Sequence, residues 1–179
     1  MGAKKPFPFP VLSYFKLYKI IRSELDCLQL QLDLDNTVDW SFVHKLGLNY
    51  SKCKVMSFYR TKQCITFEYS MAGHSLERVT SCRDLGVRFD QNLSFREHII
   101  ETVKKAYRSL GFLKRNSRYI SYETCLHLFN SLIRSQLEYA SIVWSPHSKC
   151  SAKSIESLQH KFLRFLYFKK HSIPAPIDY

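Results

Sequence analysis

A chain of 179 residues can hold one domain with a substantial core, or two small ones. Its 45% hydrophobic and 15% aromatic content exclude a disordered or low-complexity chain. The formal charge is +12 and uneven: residues 96–179 carry 14 Lys/Arg against 6 Asp/Glu, and residues 1–95 carry 13 against 9. A basic excess gathered in one half points to a polyanionic partner, or to a solvated basic surface.

The six cysteines (Cys27, Cys53, Cys64, Cys82, Cys125 and Cys150) include no C-x-x-C pair, which argues against zinc modules. With no signal peptide and no membrane-length apolar run, the expectation is an intracellular protein, nuclear or cytoplasmic, without disulfides and without a membrane partner. The seven histidines form no H-E-x-x-H pattern. No Gly-rich phosphate loop and no G-x-S-x-G elbow is present, so hydrolase and nucleotide-fold readings fall away.

Residues 1–15 form a proline-rich leader, with Pro6, Pro8 and Pro10 enforcing extended backbone. Lys16–Ile21 reads as a short strand. Ser23 offers a helix N-cap, with Glu24 and Asp26 in the first turn where they suit the helix dipole. Cys27, Leu30, Leu34, Val38 and Phe42 then recur at steps of three and four, and Gly47 is the expected C-cap. This helix is acidic (Asp33, Asp35, Asp39) and so is not expected to touch nucleic acid. Lys54–Arg60, Cys64–Met71 and Asp84–Asp90 read as strands, with Ile65, Phe67 and Tyr69 alternating against polar neighbours. Ala72-Gly73-His74 reads as a hairpin turn, with Ser75–Thr80 returning.

The remainder reads as helix. Phe95–Leu113 lines up Ile99, Val103, Ala106 or Tyr107, Leu110 and Leu113. Tyr122–Tyr139, capped by Ser121, lines up Leu126, Phe129, Ile133 and Leu137. Ser151–Phe168, capped by Ser151, lines up Ile155, Leu158, Phe162 and Leu166. Three amphipathic helices with short polar loops predict a small bundle. Residues 171–179, with Pro174 and Pro176, form a tail.

The order of motifs is more specific than any single one. Lys16-Leu17-Tyr18 precedes Leu34-Asp35 and Val38-Asp39-Trp40. Leu48-Asn49 with Lys52-Cys53-Lys54-Val55 follows, then Asp84-Leu85-Gly86-Val87 and Leu93-Ser94-Phe95. Last come Leu110-Gly111-Phe112, Leu137-Glu138-Tyr139-Ala140 and Val143-Trp144-Ser145-Pro146. Over roughly residues 16–168 this order resembles the palm end and thumb of non-LTR, jockey-type retrotransposon reverse transcriptases. The resemblance implies an α+β fold. Residues 16–95 would be the C-terminal part of a palm, one helix plus about four antiparallel strands with a primer-grip-like hairpin. Residues 96–170 would be a three-helix thumb.

The resemblance also implies roles. Asn49 and Lys52 match a motif near the incoming nucleotide, where a lysine can neutralise pyrophosphate. Leu85 and Gly86 match the hairpin that holds the primer end. Lys104, Lys105, Arg108, Lys114, Arg115 and Arg118, with Lys161 and Arg164, would lie along an RNA template–DNA primer duplex and neutralise phosphates without reading sequence. The residues alone leave other readings open: a turn Asn with a solvated Lys, a strand glycine at a bulge, a solvated basic face. Trp144, Tyr107, Tyr119 and Tyr139 read as core or hinge residues.

One departure bears on chemistry. Polymerases clamp two divalent metals with carboxylates. The family carries an aspartate pair just before the equivalent of Phe15-Lys16-Leu17-Tyr18, where this chain holds Ser13 and Tyr14, neither of which offers an anionic oxygen. The expectation is a fragment of an RNA-directed DNA polymerase that is not catalytic alone, with no catalytic residue, metal ligand or cofactor of its own, although the complete family enzyme uses Mg²⁺. The alternatives are a non-enzymatic nucleic-acid-binding module and a decayed sequence without function.

Overall fold

A computed structural model describes residues 15–59, 64–146 and 148–176. The chain divides into two compact units, Met1–Cys82 and Arg83–Tyr179. Helices and short two-stranded ladders make up both, a mixed α+β content.

In the first unit the helix α1 spans Glu24–Val43 and starts at Ser23, as its capping signal predicts. Asp26 reaches back to accept hydrogen bonds from the backbone N–H groups of Arg22 and Ser23, both at 2.8 Å. Those two bonds and one from the Ser23 hydroxyl hold its carboxyl below the ordinary range. Cys27, Leu34 and Ser41 are buried, with Leu30 and Val38 packed beside them. Steps of seven keep the buried line nearly straight at 3.6 residues per turn. Phe42, expected on this face, falls off that line and is 85% exposed.

Gly47 is not the C-cap. The helix ends in a Schellman arrangement, in which Lys45 N–H donates to the Phe42 carbonyl (3.1 Å) and Leu46 N–H to the Ser41 carbonyl (2.9 Å). The left-handed position is Lys45, at φ 54°. A side chain there costs about 1 kcal/mol that glycine would not. Lys45→Gly is therefore expected to raise the unfolding free energy by about 0.5–1 kcal/mol in urea titration.

The strands are shorter than their sequence pattern predicts. Lys16–Ile21 joins no ladder; it lies along α1, where Lys19 pairs with Asp33 at 3.0 Å and Ile21 packs on the core. Of Lys54–Arg60 only β1 (Lys54–Val55) is paired; Arg60 lies outside the described residues. Of Cys64–Met71 only β2 (Ser70–Met71) is paired. The alternation there survives as burial, with Tyr69 and Met71 buried and Glu68 exposed, but Gln31 satisfies the Ser70 backbone from α1 instead of a strand.

β2 turns antiparallel onto β3 (His74–Ser75), so the expected hairpin is present, but its turn is the two residues Ala72-Gly73, both at positive φ (49° and 77°), with His74 already in the strand and the return ending at Ser75 instead of Thr80. The chain leaves this hairpin at once as β4 (Glu77–Arg78), which pairs with β1 in parallel, Lys54 opposite Glu77. The expected all-antiparallel set is thus corrected. Arg78 explains the register: its guanidinium donates to Ser57 Oγ and to the Phe67 carbonyl, tying three segments together.

At the start of the second unit β5 (Ser81–Asp84), whose first two residues close the first unit, and β6 (Val87–Asp90) form a hairpin that leads into α2 (Arg96–Asn116). Phe95 is left-handed at φ 53°, and Asp90 takes over the capping work. Its carboxylate accepts from the N–H groups of Asn92, Ser94 and Phe95 and from the Ser94 hydroxyl. Burial alone would raise the Asp90 carboxyl, but these bonds outweigh it and hold the group below its ordinary value.

The second predicted helix is interrupted. It runs as α3 (Tyr122–Phe129), a π-helical turn over Asn130–Arg134, and α4 (Ser135–Glu138). Ser121 caps it, accepting from Thr124 N–H at 3.2 Å. The widened turn rotates the apolar stripe, so Cys125, Phe129 and Ile133 are buried and the expected Leu126 is exposed. An unpredicted short helix, α5 (Ser141–Trp144), follows a left-handed Ala140. The last helix, α6 (Lys149–His171), starts at Ser148, so the expected cap Ser151 lies inside its first turn.

The main core of this unit joins Ala106, Leu110 and Leu113 of α2, Phe129 and Ile133, and Leu158 and Phe162 of α6. A second cluster under the hairpin holds Val87, Phe95, Ile99, Val103 and Trp144. Within it His98 is buried, edge-on to Trp144 at 5.3 Å, and its Nδ1 accepts from Arg88 N–H at 3.3 Å. Burial pushes its imidazole below the ordinary 6.5; the nearby Glu101 opposes the shift and Arg83 adds to it. The unfolded chain therefore binds this proton more readily. Stability is expected to be flat in pH above about 6.5 and to fall as pH drops below it. Urea midpoints from about pH 7.5 to about pH 5.5 should show that fall, and His98→Asn, which keeps an acceptor without a titratable ring, should flatten it.

Candidate nucleic-acid interface

Asn49 and Lys52 belong to the first unit. Leu48 is buried in its core, and the chain then makes a 3₁₀ turn over Tyr50–Lys52. The Asn49 carbonyl accepts from Lys52 N–H (3.0 Å) and its side-chain oxygen from Ser51 Oγ (2.7 Å), so Asn49 shapes the turn. Lys52 is exposed on it. Among the described residues no group of three His, Cys, Asp or Glu side chains is placed to hold a metal ion. Ser13 and Tyr14 lie outside the described residues.

Leu85 and Gly86, read from the sequence as part of a strand, are the turn between β5 and β6, at φ 44° and 84°. Tyr139 closes this turn: its hydroxyl donates to the Leu85 carbonyl at 2.8 Å, and its ring edge lies 3.3 Å from where a Gly86 Cβ would stand. Glycine is required here for both conformation and space. Of the residues expected as core or hinge, Trp144 is core, its indole N–H donating to the Tyr139 carbonyl at 2.8 Å. Tyr119 is not core; it is 89% exposed, with the Arg118 guanidinium 5.4 Å above its ring.

Helical geometry sorts the basic residues into two sets. Lys104, Arg108 and Arg115 share the outward side of α2, opposite Ala106, Leu110 and Leu113, with Lys105 flanking them. Arg115 folds back along the helix, its guanidinium 3.4 Å from the position of a Gly111 Cβ. From Lys104 to Arg115 the stripe spans about 16 Å, the axial length of about five phosphates on one strand. Glu97 and Glu101 continue the same side toward the N-terminus. The hairpin arginines occupy them: Arg83 meets Glu101 at 2.7 Å, and Arg88 meets both Glu97 (3.3 Å) and Glu101 (3.1 Å). The acids at the head of the stripe are thereby paired.

The second set lies where α2 and α6 run side by side in the same sense. Tyr107 Oη is 3.2 Å from Ser157 Oγ, and Lys114 Nζ donates to the Lys161 carbonyl at 3.2 Å. Two open recesses follow this seam. One, of about 580 Å³, is lined by Val103 and Tyr107 of α2 and by Lys149, Cys150, Lys153, Ser154 and Ser157 of α6. The other, of about 570 Å³, is lined by Lys114, Lys161, Arg164, Phe165 and Phe168 with Pro174–Pro176 of the tail. Lys161 links them, its ammonium 4.7 Å over the Tyr107 ring. Among the described residues, none that lines either recess is acidic. Partial burial lowers the Lys114 ammonium pKa, and the like charge of Lys161 lowers it further.

Lys149 and Lys153 were not among the residues expected from sequence. A signal was present: Lys149, Lys153, Ser157, Lys161 and Phe165 stand every fourth residue, one row along a helix. A helix that starts at Ser151 places Lys149 in a loop, off that row; the observed start at Lys149 completes it. Among the described residues no helix is long and apolar enough to cross a membrane.

Comparison with known proteins finds a distant similarity at the level of sequence. The similarity is to the RNA-directed DNA polymerase from mobile element jockey of Drosophila funebris, at 25% identity over 142 residues. That alignment covers 75% of this chain and 15% of the relative, so the chain spans only a small part of the protein it matches. No protein-family profile matches the chain. No solved structure matches it.

Proposed function

We propose that this chain is the palm end and thumb of a non-LTR, jockey-type reverse transcriptase, and that its own contribution is to grip nucleic acid through the α2–α6 side of the second unit. The basic seam carries the reading: two recesses lined by Lys149, Lys153, Lys114, Lys161 and Arg164 beside the outward stripe Lys104–Arg108–Arg115. Cations spaced along parallel helices suit the backbone of an RNA–DNA duplex and not its bases. The distant similarity to an RNA-directed DNA polymerase supports the same partner. Asn49 with Lys52 and the Leu85-Gly86 turn take the nucleotide-side and primer-side roles in this reading.

Catalysis is assigned elsewhere. The Mg²⁺ of the complete polymerase would sit on carboxylates, and Ser13 and Tyr14 stand where the family carries its aspartate pair. Primer extension tests this directly: the purified chain with Mg²⁺ or Mn²⁺ and a primed RNA template should yield no template-dependent product, and synthesis would overturn it.

A further inference from the structure

Phe168 is out of place for a helix that only lies along duplex phosphates. It is 55% exposed, at the end of α6, on the side of Lys161 and Arg164. Ser172, left-handed at φ 58°, turns the tail so that Pro174 comes to the same recess. Lys114 lies 5.4 Å over the neighbouring Phe165 ring, so a cation already sits on the inner aromatic while the outer one is open. The volume, about 570 Å³, falls in the range of small-molecule sites, about 300–1,000 Å³.

Duplex nucleic acid keeps its bases stacked inside and offers a helix face only phosphate and sugar. On a nucleic-acid grip, the partner that suits an open ring beside cations is a base that has left the stack. We infer that this recess is a subsite for one unpaired nucleotide of a single strand, its base against Phe168 and Pro174 and its phosphate on Lys161 and Arg164. The inference rests on the reading of the second unit as a nucleic-acid grip and adds what the distal end of that grip selects.

The test is fluorescence anisotropy with an unstructured single-stranded RNA of about twelve nucleotides and, separately, the same strand in a blunt RNA–DNA duplex. Phe168→Ala should weaken single-strand binding about tenfold and duplex binding less than about twofold. Phe168→Leu, which keeps the volume and removes the ring face, should do the same. Phe42→Ala, an exposed ring on the acidic α1 of the first unit, should change neither. Equal losses on both probes, or none, would overturn the subsite while leaving the grip intact. Failure of the unaltered chain to bind either probe would overturn the grip and the subsite with it.

Discussion

Reversing Lys104, Arg108 and Arg115 to glutamate together is expected to weaken binding of an RNA–DNA duplex by well over tenfold at about 0.1 M salt. Each phosphate contact releases condensed counterions and adds about 0.9 to the slope of log K against log salt. Losing three should lower that slope by about 2.7, and the introduced carboxylates repel the backbone besides. The three positions face away from Ala106, Leu110 and Leu113, so the fold should hold, as circular dichroism would show. Lys105→Glu alone should cost less, because Lys105 only flanks the stripe. Binding unchanged in the triple variant would remove the outward face of α2 from the interface.

The largest stability effect is expected at Phe162→Ala. Phe162 is 1% exposed and stacks on Phe129 nearly parallel, centroids 3.8 Å apart and planes 7° apart. The pair joins α6 to the helix just before its π-helical turn, within the cluster that also holds Leu158 and Ile133. Truncation removes the ring and leaves a cavity that rigid helices cannot close, a loss of about 3–5 kcal/mol. Against a typical total of about 5–15 kcal/mol, much of the unit's stability goes with it. Chemical denaturation should show the drop, whereas the exposed Phe112→Ala should cost about 0.5 kcal/mol or less. Near-equal effects would mean that the α3–α6 packing is not the core of this unit.

Legibility in the sequence followed the kind of force at work. The apolar stripe of α2 was readable outright, because Ile99, Val103, Ala106, Leu110 and Leu113 meet their partners along one straight helix. The Ser23 and Ser121 starts were readable because capping is local chemistry. The strands were not: Lys54–Arg60 and Cys64–Met71 have alternating patterns, but pairing depends on a partner distant in sequence, and Arg78 supplies a parallel one. The π-helical turn escaped notice because widening one turn leaves no composition signal, yet it exchanges Leu126 for Cys125 on the buried side.

Among the candidate site residues, the basic identities were visible and their grouping was not. Helix phase separates Lys104, Arg108 and Arg115 from Lys114, and only packing of α6 against α2 brings Lys114 to Lys161. Arg83 and Arg88 belong to the same electrostatic account, but their pairing with Glu97 and Glu101 depends on where the hairpin folds. Tyr139 shows the same limit from the other side. It lies 54 residues from Leu85 in sequence, and a single hydrogen bond makes it the closure of the turn that Gly86 permits.

The most direct measurement is a salt titration of duplex binding by the unaltered chain. With the three stripe cations and two or three of the five seam cations on phosphates, log K should fall linearly with log salt at a slope of about −4.5 to −5.5. A flat titration, or no binding at low salt, would contradict the claim that this surface grips a nucleic-acid backbone.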